Sequence, residues 1–184
     1  SPESFAVRAD LLRVLRRFFV DRGVLEVETP LLSQGTIPDA GIDIFRLPGE
    51  ADERDRYLQT SPESAMKRLL AAGSGDIFQI CKAFRQGEAG RHHNPEFTLL
   101  EWYRVDWDHA ALMREVAELL RAVLNVDNWQ VWPYRALFIE LLDVDPWDEQ
   151  TSLTTLTDLA QSRIGAVPGA LDRDATLDLL MSHC

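Results

Sequence analysis

The chain has 184 residues, 46% of them hydrophobic, with no low-complexity run, so the composition is that of one packed globular domain or most of one. Thirty acidic against nineteen basic side chains leave a formal charge of −11, which excludes a broad basic footprint and counts against a nucleic-acid partner. No apolar run approaches the roughly 20 residues that cross a bilayer, no signal-peptide pattern opens the chain, and Cys81 and Cys184 form neither a metal-ligand spacing nor a disulfide framework; the expectation is a reducing, cytoplasmic setting.

Residues 4–22 carry Phe5, Leu11, Leu12, Val14, Leu15, Phe18 and Phe19 at helical spacing, with Gly23 where a left-handed cap belongs, and predict an amphipathic helix. Residues 24–32, V-L-E-V-E-T-P-L-L, predict a strand interrupted at Pro30, which lacks a ladder N–H and so marks an edge, bulge or interface. Turn formers dominate 33–56 around one short apolar run at 42–47, giving loop, short strand, loop. A short strand over 57–59 runs into T-S-P-E, where Ser61 is placed to cap a helix, Pro62 to take its first position and Glu63 to complement its dipole. That helix continues over 65–72 to a cap at Gly73.

Residues 77–84 alternate apolar and polar side chains and predict a half-buried strand; 97–103, rich in β-branched and aromatic residues, predict a second. Gly87, Gly90 and Pro95 break regular structure between them and suit a long hairpin connection. Asp108 is placed to cap a helix with Leu112, Val116, Leu119, Leu120 and Val123 as its apolar face and Met113 as a core residue. A polar, tryptophan-bearing connection over 125–133 leads to helical patterns at 134–142, 153–164 and 173–183, none with a recognisable site. Trp102 reads as a packing residue, and His109 and His183 as isolated surface or capping residues.

The hairpin is where chemistry governs residue choice. Arg85, Arg91, His92 and His93 lie on or beside one loop between two strands, and a guanidinium fork grips phosphate or carboxylate at two points. Phe97 offers a face for a flat heterocycle, and Glu88, Glu96 and Glu101 offer acceptors for amino groups. Glu101 and Tyr103, two apart on one strand, share a face. A nucleotide plus an amino compound fits this set; a solvated hairpin, charged only for solubility, fits the spacing as well.

The run F-R-Q-G-E-A-G-R-H-H-N-P-E-F-T-L-L-E-W-Y resembles the second signature motif of class II aminoacyl-tRNA synthetases. The part R-H-H-N-P-E-F-T-L-L-E-W-Y-R is similar to the lysine-specific branch, and E-W-Y-R to its stand-alone paralogues that attach β-lysine to elongation factor P. The first helix with its Pro30 strand resembles the first motif, which implies a homodimer interface, and T-S-P-E resembles the branch's substrate loop. The likeness covers residues 11–105. It implies an α+β fold, an antiparallel sheet flanked by helices, and an enzyme that adenylates a lysine-like amino acid with ATP and Mg2+.

By that resemblance Arg85 holds the α-phosphate and is the catalytic residue, His93 or Arg91 approaches the outer phosphates, Asn94 contacts ATP, and Phe97 stacks on adenine. Gln86, Gly87 and Glu88 complete the ATP loop, while Ser61, Pro62, Glu63, Glu101 and Tyr103 form the substrate side, with Glu63, Glu101 and Tyr103 receiving amino groups. Two departures qualify it. The family's adenine-reading glutamate sits two residues after the arginine, where this chain has Gly87, so Glu88 or a backbone group takes the role. No third motif or late magnesium-binding carboxylate matches, so the expectation is the N-terminal part of one catalytic domain over residues 1–184. The expected acceptor is elongation factor P rather than tRNA; a lysyl-tRNA synthetase core and a non-catalytic paralogue stay as alternatives.

Overall fold

The computed structural model describes residues 2–35, 37, 39, 41–50, 53–91, 93–165, 167 and 169–183. Two compact units, Ser1–Asp127 and Asn128–Cys184, divide the chain. In the first unit, α1 (Pro2–Val20) runs into a turn at Gly23, whose φ of +70° is the left-handed geometry that a side chain disfavours. Only the C-terminal half of α1 is covered. Phe18 and Phe19 are buried, whereas Phe5, Val7, Leu11 and Val14 of the same helix are exposed.

The chain then forms β1 (Leu25–Glu26), which runs parallel to β5 (Ile77–Phe84). At Pro30 it leaves that sheet and joins a second, antiparallel one, in which β4 (Arg56–Leu58) lies between β2 (Leu32–Ser33) and β3 (Arg46–Leu47). The expected interruption at Pro30 is therefore a change of sheet. β5 pairs antiparallel with β6 (Glu96–Tyr103), from Ile77↔Tyr103 to Phe84↔Glu96, so the first sheet, ordered β1-β5-β6, is mixed rather than wholly antiparallel. The fold class is α+β.

Strand parity gives β5 and β6 two unlike faces. Phe78, Ile80, Leu100 and Trp102 pack on Phe18, Phe19 and Leu119 as one core, with Phe19 and Phe78 stacked at 4.7 Å. Gln79, Cys81, Phe97, Glu101 and Tyr103 fall on the opposite face. The alternation in 77–84 predicted a half-buried strand; its polar Gln79 is buried as well, with the Thr29 hydroxyl donating to its carboxamide oxygen.

Asp108 caps α3 (His109–Leu124) as expected, its carboxylate accepting from the Ala111 N–H at 2.7 Å. The buried face of α3 is in part the expected one, with Leu119 in the core and Val123 packed against it. Leu112, Met113 and Leu120 are exposed, and Glu115, Ala117 and Leu119 face inward. The physical cause is Arg104. Only 5% of its side chain is exposed, and its Nε donates to both Glu115 oxygens at 3.0 Å while a terminal nitrogen reaches Asp76 at 2.9 Å. Glu115 also accepts from Trp102 Nε1 at 2.9 Å, which fixes the rotation of the helix over the sheet. These contacts, the Glu115 hydrogen bond first among them, raise the Arg104 pKa against the cost of its burial.

In the second unit, α4 (Tyr134–Leu142), α5 (Leu153–Ile164) and α6 (Arg173–Met181) enclose Phe138, Leu142, Leu156, Ala160, Leu177 and Leu180. Ser152 and Asp172 cap α5 and α6 through their side chains. Among the described residues no helix is long and apolar enough to cross a membrane.

Glu115→Ala is expected to leave the buried Arg104 guanidinium with Asp76 as its one remaining carboxylate and to cost about 3 kcal/mol in urea unfolding. Glu118→Ala, which breaks the exposed pair with Arg22, is expected to cost under about 1 kcal/mol.

Candidate functional site

The site face of β5 and β6 meets the start of α2 (Glu63–Ala71). Helix α2 begins one residue later than expected: Pro62 stands at the cap and no side chain caps it. Ser61 therefore lies one residue before the cap position. Its hydroxyl accepts from the Glu63 N–H at 3.1 Å and donates to Glu101 Oε2 at 2.7 Å. The Tyr103 hydroxyl donates to the other Glu101 oxygen, also at 2.7 Å. Ser61, Glu101 and Tyr103 thus form one hydrogen-bonded cluster, held by the T-S-P-E turn and by the two-residue period of β6.

Glu101 is half-buried and retains lone pairs beyond the two that these hydroxyls occupy, so the cluster can accept further donors. Burial first, then the Glu101 hydrogen bond and the Glu101 and Glu63 charges, push the Tyr103 phenol well above the ordinary tyrosine range. Tyr103 is therefore a fixed donor. Glu63 pairs with Lys67 one turn along α2. Pro62 is fully buried beneath this corner.

At the loop end, Arg85 and Phe97 share the site face, with the guanidinium 5.1 Å from the ring centroid. The Arg85 N–H bonds to the Pro95 carbonyl at 2.9 Å and the Gln86 N–H to the Asp43 carbonyl at 2.8 Å, tying the loop base to its surroundings. Gly87 has φ +80°, a turn geometry that swings Glu88 back to 3.9 Å from Arg85. The Arg85 Nε is buried and has no hydrogen-bond partner among the described residues. A buried N–H of a permanent cation without an acceptor fits an anion.

Not every expected residue converges. Gln86, Arg91, His93 and Asn94 are exposed, and no side-chain hydrogen bond or ion pair among the described residues joins them to Arg85 or Phe97. His92 lies outside the described residues. Among the described residues no group of three or more His, Cys, Asp or Glu side chains could hold a metal ion.

Residues 1–133 match the family described as tRNA synthetases class II (D, K and N). The chain belongs to this family. Several curated relatives within reach of this class II chain are named elongation factor P–(R)-β-lysine ligase. That of Pectobacterium carotovorum is 53% identical over 143 residues, covering 76% of this chain and 44% of the relative. That of Edwardsiella ictaluri is 46% identical over 179 residues, covering 95% and 55%, and that of Pseudoalteromonas translucida is 49% identical over 179 residues, covering 94% and 55%. The chain spans about half the length of the curated relatives it matches.

Beside the expected residues lies a buried polar layer that the periodicity did not single out. The Thr29 hydroxyl donates to Gln79 Oε1 at 3.0 Å, and Gln59 Nε2 donates to the Lys82 carbonyl at 2.7 Å and reaches the Cys81 sulfur at 3.3 Å. Burial raises the Cys81 pKa, opposed by the Gln59 amide that reaches its sulfur. The signal was hairpin register: counted outward from the loop, it sets Gln79 opposite Glu101.

In an alkaline ultraviolet titration, the component removed by Tyr103→Phe is expected above the ordinary tyrosine range, near pH 10. The raised pKa contributes stability that is present below about pH 10 and lost as pH climbs through the folded-state value. A Tyr103 component at the ordinary position would show that the cluster does not form.

Proposed function

We propose that the protein is an ATP-dependent ligase that adenylates a lysine-like amino acid, (R)-β-lysine, and passes it to a lysine side chain of elongation factor P. The observation that carries the reading is the pairing of two unlike subsites on one sheet face. One is a guanidinium with a buried, unpaired N–H above an aromatic ring; the other is a carboxylate flanked by two hydroxyl donors. An anion with a flat heterocycle and a cationic amine are the complementary ligands. Residues 1–133 supply the family, and the relatives' names supply the acceptor.

In this mechanism Phe97 stacks on adenine, and Arg85 holds the α-phosphate while a carboxylate oxygen of the amino acid attacks phosphorus and pyrophosphate leaves. Charge that grows on the phosphoryl oxygens is met by a guanidinium already in position. Glu88, brought beside Arg85 by the Gly87 turn, reads the adenine amino group. Gln86, His93 and Asn94 close over the nucleotide from the exposed part of the loop. Glu101, Tyr103 and Ser61 receive the substrate's amine, with Glu63 as the neighbouring wall; Pro62, expected on the substrate side, is buried and supports the turn from beneath. The acceptor amine then attacks the carbonyl carbon of the adenylate, and AMP leaves with the bonding electrons.

Mg2+ belongs to this reading through the family alone, and no described residue is assigned to it. The exposed apolar residues of α1, Phe5, Val7, Leu11 and Val14, support a homodimer contact there. The protein operates in the cytoplasm, as one catalytic domain that includes residues 1–184. The −11 charge favours a protein acceptor over tRNA.

Replacing Arg85 with lysine keeps the charge and loses the two-point fork, so ATP–pyrophosphate exchange by the full-length protein is expected to fall about 100- to 1000-fold. Arg121→Lys, on the surface of α3 and paired with Asp127, is expected to leave the rate unchanged. Equal rates in the two variants would remove Arg85 from the mechanism. (R)-β-Lysine is expected to outperform α-lysine in the same assay; α-lysine preference with tRNA charging would instead support a lysyl-tRNA synthetase core.

A further inference from the structure

Gln79 sits on the middle strand of the first sheet, with Thr29 on the β1 side and Glu101, its Cα partner, on β6. It is 2% exposed. Its carboxamide oxygen accepts from the Thr29 hydroxyl, and its Nε2, also buried, has no hydrogen-bond partner among the described residues. Turning the amide over does not cure this: Nε2 would then donate to Thr29 and the oxygen would be the unpaired atom. A buried amide in this state costs stability, and an apolar side chain of the same length would pack there without that cost. Residues that break such a local rule concentrate at functional sites.

The carboxylate opposite Gln79 on the facing strand is Glu101. Directly opposed side chains on an antiparallel pair have Cβ atoms about 4.5–5.5 Å apart. As the side chains stand, the two Glu101 oxygens are directed at the Ser61 and Tyr103 hydroxyls. An incoming ammonium takes lone pairs that those hydroxyls leave free, and the amide N–H on the facing strand is a further donor placed to hold the carboxylate in that orientation.

We infer that Gln79 is a positioning residue of the amine subsite, donating to Glu101 when a cationic amine binds and holding the carboxylate in the orientation that receives it. The inference rests on the proposed ligase reading and deepens it. It assigns to one buried carboxamide the orientation of the carboxylate that recognises the substrate's charge.

The test compares Gln79→Met and Thr29→Val in the full-length protein by ATP–pyrophosphate exchange, with separate KM values for (R)-β-lysine and for ATP, and by urea unfolding. Gln79→Met is expected to raise KM for the amine about 10-fold or more. KM for ATP is expected to stay unchanged, and the urea midpoint not to fall by more than that of Thr29→Val. Thr29→Val, which removes the hydroxyl but keeps the Gln79 N–H, is expected to leave both KM values near the parent. An unchanged amine KM in Gln79→Met, or an equal rise for amine and ATP, overturns the inference and leaves the ligase reading in place. A parent protein that exchanges pyrophosphate with no lysine-like amine overturns both. Should Gln79→Met not fold, the side-chain amide protons of Gln79 in the parent protein carry the test. Addition of (R)-β-lysine is expected to shift them downfield and slow their exchange, and no change overturns the inference.

Discussion

Eight cross-strand residue pairs join β5 to β6, and this register is the constraint on which the rest of the first unit depends. Because side chains alternate, a slip of β6 by one residue would turn every side chain of that strand to the other face. Leu100 and Trp102 would leave the aromatic core under α1 and α3, and Phe97, Glu101 and Tyr103 would be driven into it. Core packing thereby selects the register that assembles the polar face. The same hydrophobic term that holds α1 on the sheet sets Phe97 beside Arg85 and Tyr103 beside Glu101.

A second constraint acts where β6 ends. Arg104 leaves the strand and is buried between Asp76 and Glu115, with Trp107 beneath it at 4.6 Å. A buried ion pair contributes little net stability when compared with well-packed apolar residues. Its effect here is geometric: three groups from β6, α3 and the turn before β5 must meet together, so α3 can cover the core in only one rotation. Leu112 and Leu120 are left outside as a result.

The site face contrasts with this fully paired anchor. Gln79 Nε2 and Arg85 Nε, at opposite ends of the face, are buried without partners among the described residues. Both are donors, and between them stand a half-buried carboxylate and an aromatic ring. The core face of the sheet carries the stabilising packing, while the site face retains hydrogen-bonding capacity for an anion at one end and for the control of a carboxylate at the other.

The sequence by itself determined the elements. Residues 77–84, 134–142 and 153–164 form with the expected limits, and the Asp108 cap forms where its position required, because periodicity and capping are local properties of the chain. The hairpin pair Glu101 and Tyr103 was legible for the same reason, and the family was legible from contiguous motifs. Only the tertiary structure decided which polar groups go inside. Glu115 reads as one more charge on a helix, and Gln79 as the polar half of an alternating strand, until Arg104 and Thr29 arrive from elsewhere in the chain to meet them. Ser61 likewise keeps its bond from the Glu63 N–H and adds one to Glu101, 40 residues away in sequence. Hydrophobic periodicity reports the average burial of a face. The pairing of a buried polar group is settled by partners distant in sequence, and their approach is fixed only once the sheet has formed.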